Sequence, residues 1–159
     1  MALLKPVEDK FWIISSGFFP QGRKHPITGK LVPHNGIDIS LPINTPIYAI
    51  EEGTVQTVKI DSFNGLYIII DHGNNLISSY SHLNRSLVTP GQKVQQGDEI
   101  ALSGNTGLST GPHLHYALKK NGTYVDPAKD SLYSINYKPI VSGLLIAVPI
   151  FVFLAKKRL

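Results

Sequence analysis

Turn-forming pairs interrupt this chain at close intervals, and that punctuation leaves little room for helices. Glu52-Gly53, Asn64-Gly65, His72-Gly73-Asn74-Asn75, Pro90-Gly91, Gln96-Gly97 and Asn121-Gly122 each mark a reversal. Between them lie short runs with strand character. Val55–Ile60 (VQTVKI) alternates apolar and polar residues at period two. Leu66–Ile70 (LYIII) is a continuous apolar run, as expected for a strand buried on both faces. Leu76–Tyr80 and Leu114–Leu118 are further candidates, with Leu114 facing the core. No long amphipathic helix precedes residue 140. The expected class is therefore all-β, an antiparallel sheet, sandwich or barrel.

The chain has 159 residues, 42% hydrophobic and 16% charged, which excludes a disordered polypeptide. It has no cysteine, so it can hold neither a disulfide nor a thiolate metal site. The formal charge of +4 belongs wholly to Lys138, Lys156, Lys157 and Arg158. The remaining basic residues balance the acids. No basic cluster marks a nucleic-acid surface, and no nucleic-acid partner is expected.

Residues 140–155 (IVSGLLIAVPIFVFLA) carry no charge and are followed by a basic tail, 156–159. Such a segment spans roughly 24 Å as a helix, enough for a single membrane crossing when flanking lysines snorkel. The expectation is a C-terminal transmembrane helix in a lipid bilayer; a buried terminal helix is the alternative. The sequence thus divides into an N-terminal segment 1–16, a domain 17–130, a connector 131–139, the span 140–155 and the tail.

Six histidines carry the chemical interest: His25, His34, His72, His82, His113 and His115. His34-Asn-Gly-Ile-Asp38 places an imidazole and a carboxylate on either side of a bend at Asn35-Gly36. On a straight strand such positions lie ~13 Å apart, so Gly36 is expected to supply a special backbone conformation. Alone, this five-residue stretch reads more readily as a turn with a surface histidine and an Asx cap. His113-Leu-His115 puts two imidazoles on one strand face, and a small-residue loop, Ser103–Pro112, precedes it. Tyr80-Ser81-His82 places one more histidine at a strand end. Taken together, two histidines and one aspartate satisfy three positions of a zinc ion and leave the fourth open to water. Two histidines then remain as general acid and base. No HExxH occurs.

The stretch from Gly22 through His34-Asn-Gly-Ile-Asp38, with Tyr80-Ser81-His82 and Gly104-Asn-Thr-Gly-Leu-Ser-Thr-Gly-Pro-His113-Leu-His115-Tyr, resembles the lysostaphin-type (LytM-like) zinc metallopeptidases. The likeness spans about residues 17–127. It implies an antiparallel metallopeptidase core of the duplicated hybrid motif type, one Zn2+ on His34, Asp38 and His115, and catalytic roles for His82 and His113. It implies hydrolysis of peptide bonds in bacterial peptidoglycan. Asn35, Asn105 and Tyr116 are candidate substrate-binding residues, and Tyr48, Tyr80 and Tyr116 read as packing or groove walls rather than catalysts. His25 could line the groove, and His72 is expected to be structural.

Peptidoglycan lies outside the cytoplasmic membrane, and Met1–Lys10 offers no secretory signal. A phage origin reconciles the two: an enzyme anchored in a virion membrane, with virion neighbours, acting in wall penetration or lysis. The alternative is a non-catalytic wall-binding or structural virion protein on the same scaffold.

Overall fold

The computed structural model describes residues 3–133. The expected span 140–155, the basic tail and most of the connector lie outside the described residues. Among the described residues, no helix is long and apolar enough to cross a membrane.

Among these residues fourteen strands follow in order: β1 (Leu3–Leu4), β2 (Ile14–Ser16), β3 (Phe19–Lys24), β4 (Leu31–His34), β5 (Ile37–Ser40), β6 (Pro46–Tyr48), β7 (Gly53–Asp61), β8 (Gly65–Asp71), β9 (Leu76–Ser86), β10 (Lys93–Val94), β11 (Glu99–Ser103), β12 (His113–Lys120), β13 (Thr123–Val125) and β14 (Ser131–Tyr133). A short helix, α1 (Pro127–Asp130), is capped by the Asp126 side chain, which accepts from the Ala128 amide. Ten strands form an antiparallel sheet whose main path runs β10-β7-β8-β9-β12-β5-β2; β11 joins β9 to β6, and β13 pairs with β12. The four strand runs read from sequence all fall within β7, β8, β9 and β12. At the β12–β13 reversal, Asn121 and Gly122 both have positive φ (48° and 78°), the geometry of a two-residue hairpin that follows the sheet's twist.

The two faces of this sheet are chemically distinct. Ile37 and Ile39 of β5, Ile68 and Ile70 of β8, Tyr80 of β9 and Leu114, Tyr116 and Leu118 of β12 are buried in one apolar cluster. Their neighbours at period two line a groove: Asp38, Tyr67, Ile69, Ser79, Ser81, His113, His115 and Ala117. The Leu66–Ile70 run is thus not buried on both faces. Ile68 and Ile70 pack in the core, while Tyr67 and Ile69 form the groove floor.

The N-terminal segment is not separate from the domain. Leu3 and Val7 are buried in the core cluster, β2 pairs with β5, and β1 pairs in parallel with β14. Ser131–Tyr133, expected in the connector, is therefore a strand of the folded unit. The β3–β4 hairpin stands apart as a two-stranded ribbon with no ladder to the ten-stranded sheet.

Candidate metal centre and groove

Three segments converge in the lining of the groove. His115 of β12 lies between Asp38 on β5 and Ser81 on β9, as direct cross-strand partners. Residues so paired bring their side chains together on one face of a sheet. His34 ends β4, and the Asn35-Gly36 bend turns the chain so that its ring reaches Asp38 four residues on. The need for glycine at 36 is room, not a left-handed backbone. A Cβ there would stand 2.5 Å from the Tyr116 carbonyl oxygen and 3.0 Å from Cε1 of His115.

The resulting triangle is tight. His34 Nε2 lies 3.0 Å from Asp38 Oδ1, His115 Nδ1 lies 2.8 Å from the same oxygen, and the two nitrogens are 3.1 Å apart. His34 Nδ1 is 2.6 Å from the Gly17 carbonyl oxygen, to which it donates, so its Nε2 presents a lone pair to the centre. Lone pairs of two imidazoles and a carboxylate repel one another unless a cation or shared proton lies among them. Around a tetrahedral zinc with ligand bonds of ~2.0–2.2 Å, such atoms sit ~3.3–3.6 Å apart. An outward movement of a few tenths of an ångström meets that requirement, so the donor set fits the ion. His34, Asp38 and His115 are the one such group among the described residues. Burial opposes the charge of Asp38, yet the closeness of the His115 and His34 rings outweighs it and holds the carboxyl well below the usual range.

Two more imidazoles stand beside the triangle. The ring centroid of His82 is 4.6 Å from that of His113 and 6.3 Å from that of His115. His113 Nε2 lies 3.8 Å from Asp38 Oδ1, just outside the ligating set. Its Nδ1 donates to the Gly111 carbonyl at 2.8 Å and lies 3.1 Å from Ser109 Oγ. His82 Nδ1 donates to the Thr106 carbonyl at 2.8 Å. In both, the backbone holds the Nδ1 proton and leaves Nε2 as the acceptor. Burial pushes His82 down to about 4, so its ring is neutral at neutral pH.

His82 reaches the groove through a backbone irregularity. It has φ 64°, and Ser81 and His82 together oppose Tyr67, because Tyr80 pairs with Ile68 and Leu83 with Leu66. This bulge resets the alternation of β9. Strict parity would send His82 to the core and Leu83 to the groove; instead Leu83 is fully buried and His82 lines the groove.

The groove encloses about 420 Å³. Arg23, His25 and Val32 of the β3–β4 hairpin flank it, with Phe63 and Leu108–Thr110 also in its lining. His25 and Phe63 approach with ring centroids 6.2 Å apart. Of the candidate substrate contacts, Asn35 lines the groove, and Asn105 does not: its Oδ1 accepts from Ser109 Oγ at 2.6 Å and braces the loop behind His113. Tyr116 is a correction. It is 0% exposed on the core face, stacked on Tyr80 at 5.6 Å, with its hydroxyl 2.8 Å from Ser131 Oγ. Parity places it opposite His115, so it cannot touch a groove ligand. Tyr48 and Tyr80 are likewise buried in packing. His72 is structural, buried between the Glu52 carbonyl and Ser78 Oγ. Sequence reasoning missed Arg23, whose Nη2 donates to Asp38 Oδ2 at 3.1 Å. It also missed Ser109 and Thr106, since nothing local marks a residue that serves another segment's histidine.

An antiparallel sheet with a histidine- and carboxylate-lined groove on one face is the framework of a metal-dependent hydrolase. The sequence pattern of Peptidase family M23 matches residues 32–127, more than half of the chain, and the chain belongs to that family. It is 46% identical over 127 residues to the peptidoglycan DD-endopeptidase ShyA of Vibrio cholerae, a match covering 80% of this chain and 29% of that protein. The crystal structure of a zinc containing peptidase from Vibrio cholerae superposes with a TM-score of 0.74 at 42% identity, covering 79% of this chain and 39% of the other. The catalytic domain of a mutant of EnpA, a prophage-encoded M23 protein from Enterococcus faecalis, gives a TM-score of 0.64 at 32% identity, over 79% of this chain and 95% of that one. The chain spans under a third of the length of the curated relatives ShyA and ShyB.

Proposed function

We propose that this chain is a zinc-dependent endopeptidase that hydrolyses peptide bonds in peptidoglycan cross-links. The observation that carries the reading is the convergence of His34 Nε2, Asp38 Oδ1 and His115 Nδ1 within 2.8–3.1 Å, with the imidazoles of His82 and His113 beside them. His34, Asp38 and His115 would hold the zinc ion. When bound, zinc polarises the scissile carbonyl and lowers the pKa of a water molecule to ~7.

The chain's own groups then move protons. His82 and His113 offer Nε2 to the attacking water, and one of them takes its proton as the oxygen adds to the carbonyl carbon. The imidazolium so formed stabilises the negative charge that develops nearby. It returns the proton to the amide nitrogen, the C–N bond breaks, and a free amine and a carboxylic acid result, the acid then giving up its remaining proton to the amine or to solvent. Thr106 and Gly111 keep both rings in the tautomer this requires. Tyr67, Ile69, Ser79, Ala117 and Asn35 line the groove; an extended peptide would lie along the first four and bond to Asn35.

The test is digestion of purified sacculi of different cross-link chemistry, with mass analysis of the fragments. Chelation should abolish release and zinc restore it. His115→Ala should lose the metal. A chain that loads no zinc, or retains sacculi yet releases no fragment when loaded, ends the peptidase reading and leaves a wall-binding module.

The uncharged run 140–155, followed by Lys156-Lys157-Arg158, supports a membrane anchor with its basic tail on the cytoplasmic side. The prophage-encoded relative supports a phage setting, in which the anchored domain rides in a virion membrane. Detection of the chain in purified particles tests this, and its confinement to host membrane fractions overturns it.

A further inference from the structure

Asp38 divides its two oxygens between different partners. Oδ1 meets His34 and His115, whereas Oδ2 accepts from Nη2 of Arg23 at 3.1 Å. Arg23 comes from β3, in the ribbon that shares no ladder with the sheet bearing Asp38. On β3, Arg23 is half-buried against the groove and Lys24 is exposed. Arg23 Nε is the one buried side-chain polar atom without a partner among the described residues. A buried, unpaired N–H is costly. The guanidinium therefore sits where its bond to Asp38 is made rather than where all its donors are satisfied.

A carboxylate free at both oxygens can rotate, or grip a cation through both. One whose outer oxygen is held by a guanidinium offers a single, fixed oxygen. Partners of this kind orient metal ligands, and removing them typically weakens metal binding 10–100-fold. We infer that Arg23 is a positioning residue of the metal centre, holding Asp38 as a one-oxygen ligand and tying the β3–β4 ribbon to the site. This inference rests on the zinc reading above.

The experiment uses the full chain and two variants, Arg23→Gln and Arg23→Met, each checked for a native far-UV circular dichroism spectrum and a cooperative melt. Zinc affinity is measured by competition with a chromophoric chelator, and the cobalt(II)-substituted proteins by visible absorption. Zinc affinity is expected to fall about 10–100-fold. The cobalt spectrum should lose intensity as Asp38 turns to two-oxygen binding and the coordination number rises. With zinc saturating, kcat should fall while KM holds. Two folded variants are used so that failure of one still leaves a decision. Wild-type zinc affinity and cobalt spectrum in either folded variant overturn the inference. So does a raised KM with unchanged metal affinity, which assigns Arg23 to the substrate instead. Failure of the unsubstituted chain to bind one zinc sinks the underlying reading, a separate result.

Discussion

His82 holds a left-handed backbone (φ 64°) and stands with its ring centroid 4.6 Å from that of His113, which comes from a regular strand. One imidazole reaches the groove by a bulge and the other by simple alternation. Both have Nδ1 tied to a backbone carbonyl and Nε2 free. This pairing sets the two rings apart from the triangle of His34, Asp38 and His115.

His82→Ala and His113→Ala should therefore retain zinc and lose turnover by about 10²–10⁴-fold, the usual loss for a general acid or base. Metal content by elemental analysis and fragment release from sacculi check the two halves. Undiminished release in either variant removes that histidine from the catalytic pair.

Acid should destabilise the metal-free domain in a defined window. Burial holds His72 below the ordinary histidine value and pushes His82 to about 4. In the unfolded chain both return to ~6.5. Above 6.5 neither state binds these protons. Below it the unfolded chain takes up protons that the folded chain refuses, so stability is lost as the pH falls from 6.5 toward 4. His82 alone accounts for up to roughly 3 kcal/mol. Urea midpoints at pH 7.5 and 5.0, with chelator present, should show the drop. A flat profile across that range would contradict the burial of these two rings.

Gly36→Ala tests how closely the HxxxD bend approaches β12. Its Cβ would press on the Tyr116 carbonyl and on His115. Overpacking at such a site costs about 1–3 kcal/mol. The same push should displace His115 from the triangle and weaken zinc binding. Thermal melts and chelator competition measure the two effects, and wild-type values in both would show that β5 and β12 part easily.

Tyr116→Phe distinguishes a core residue from a groove residue. It removes the partner of Ser131 Oγ, itself buried, and should lower stability by about 1–2 kcal/mol. The KM for wall peptides should not change, because the ring faces away from His115. A raised KM with unchanged stability would return Tyr116 to the groove.

Much of the site was legible because its signals are local. His34-Asn-Gly-Ile-Asp38 and His113-Leu-His115 announce a bend and a strand face, and the turn pairs announce the hairpins. Of the two readings open for Tyr116, packing holds and groove contact does not, because the same period-two rule that joins His113 to His115 sends it to the core. Ile69 was misplaced because a continuous apolar run looks the same whether its second face meets a core or a groove.

Local order of residue types, then, determined which atoms could ligate and which strands could form, since alternation and turn chemistry act over a few residues. Tertiary structure alone decided that His82 turns outward at a bulge and that Arg23 crosses from a separate ribbon to Asp38. It also decided that Gly36 is needed for room beside Tyr116. Each of these depends on which distant strand lies alongside, and the close packing of that strand, not the neighbouring sequence, sets the space and the partners available.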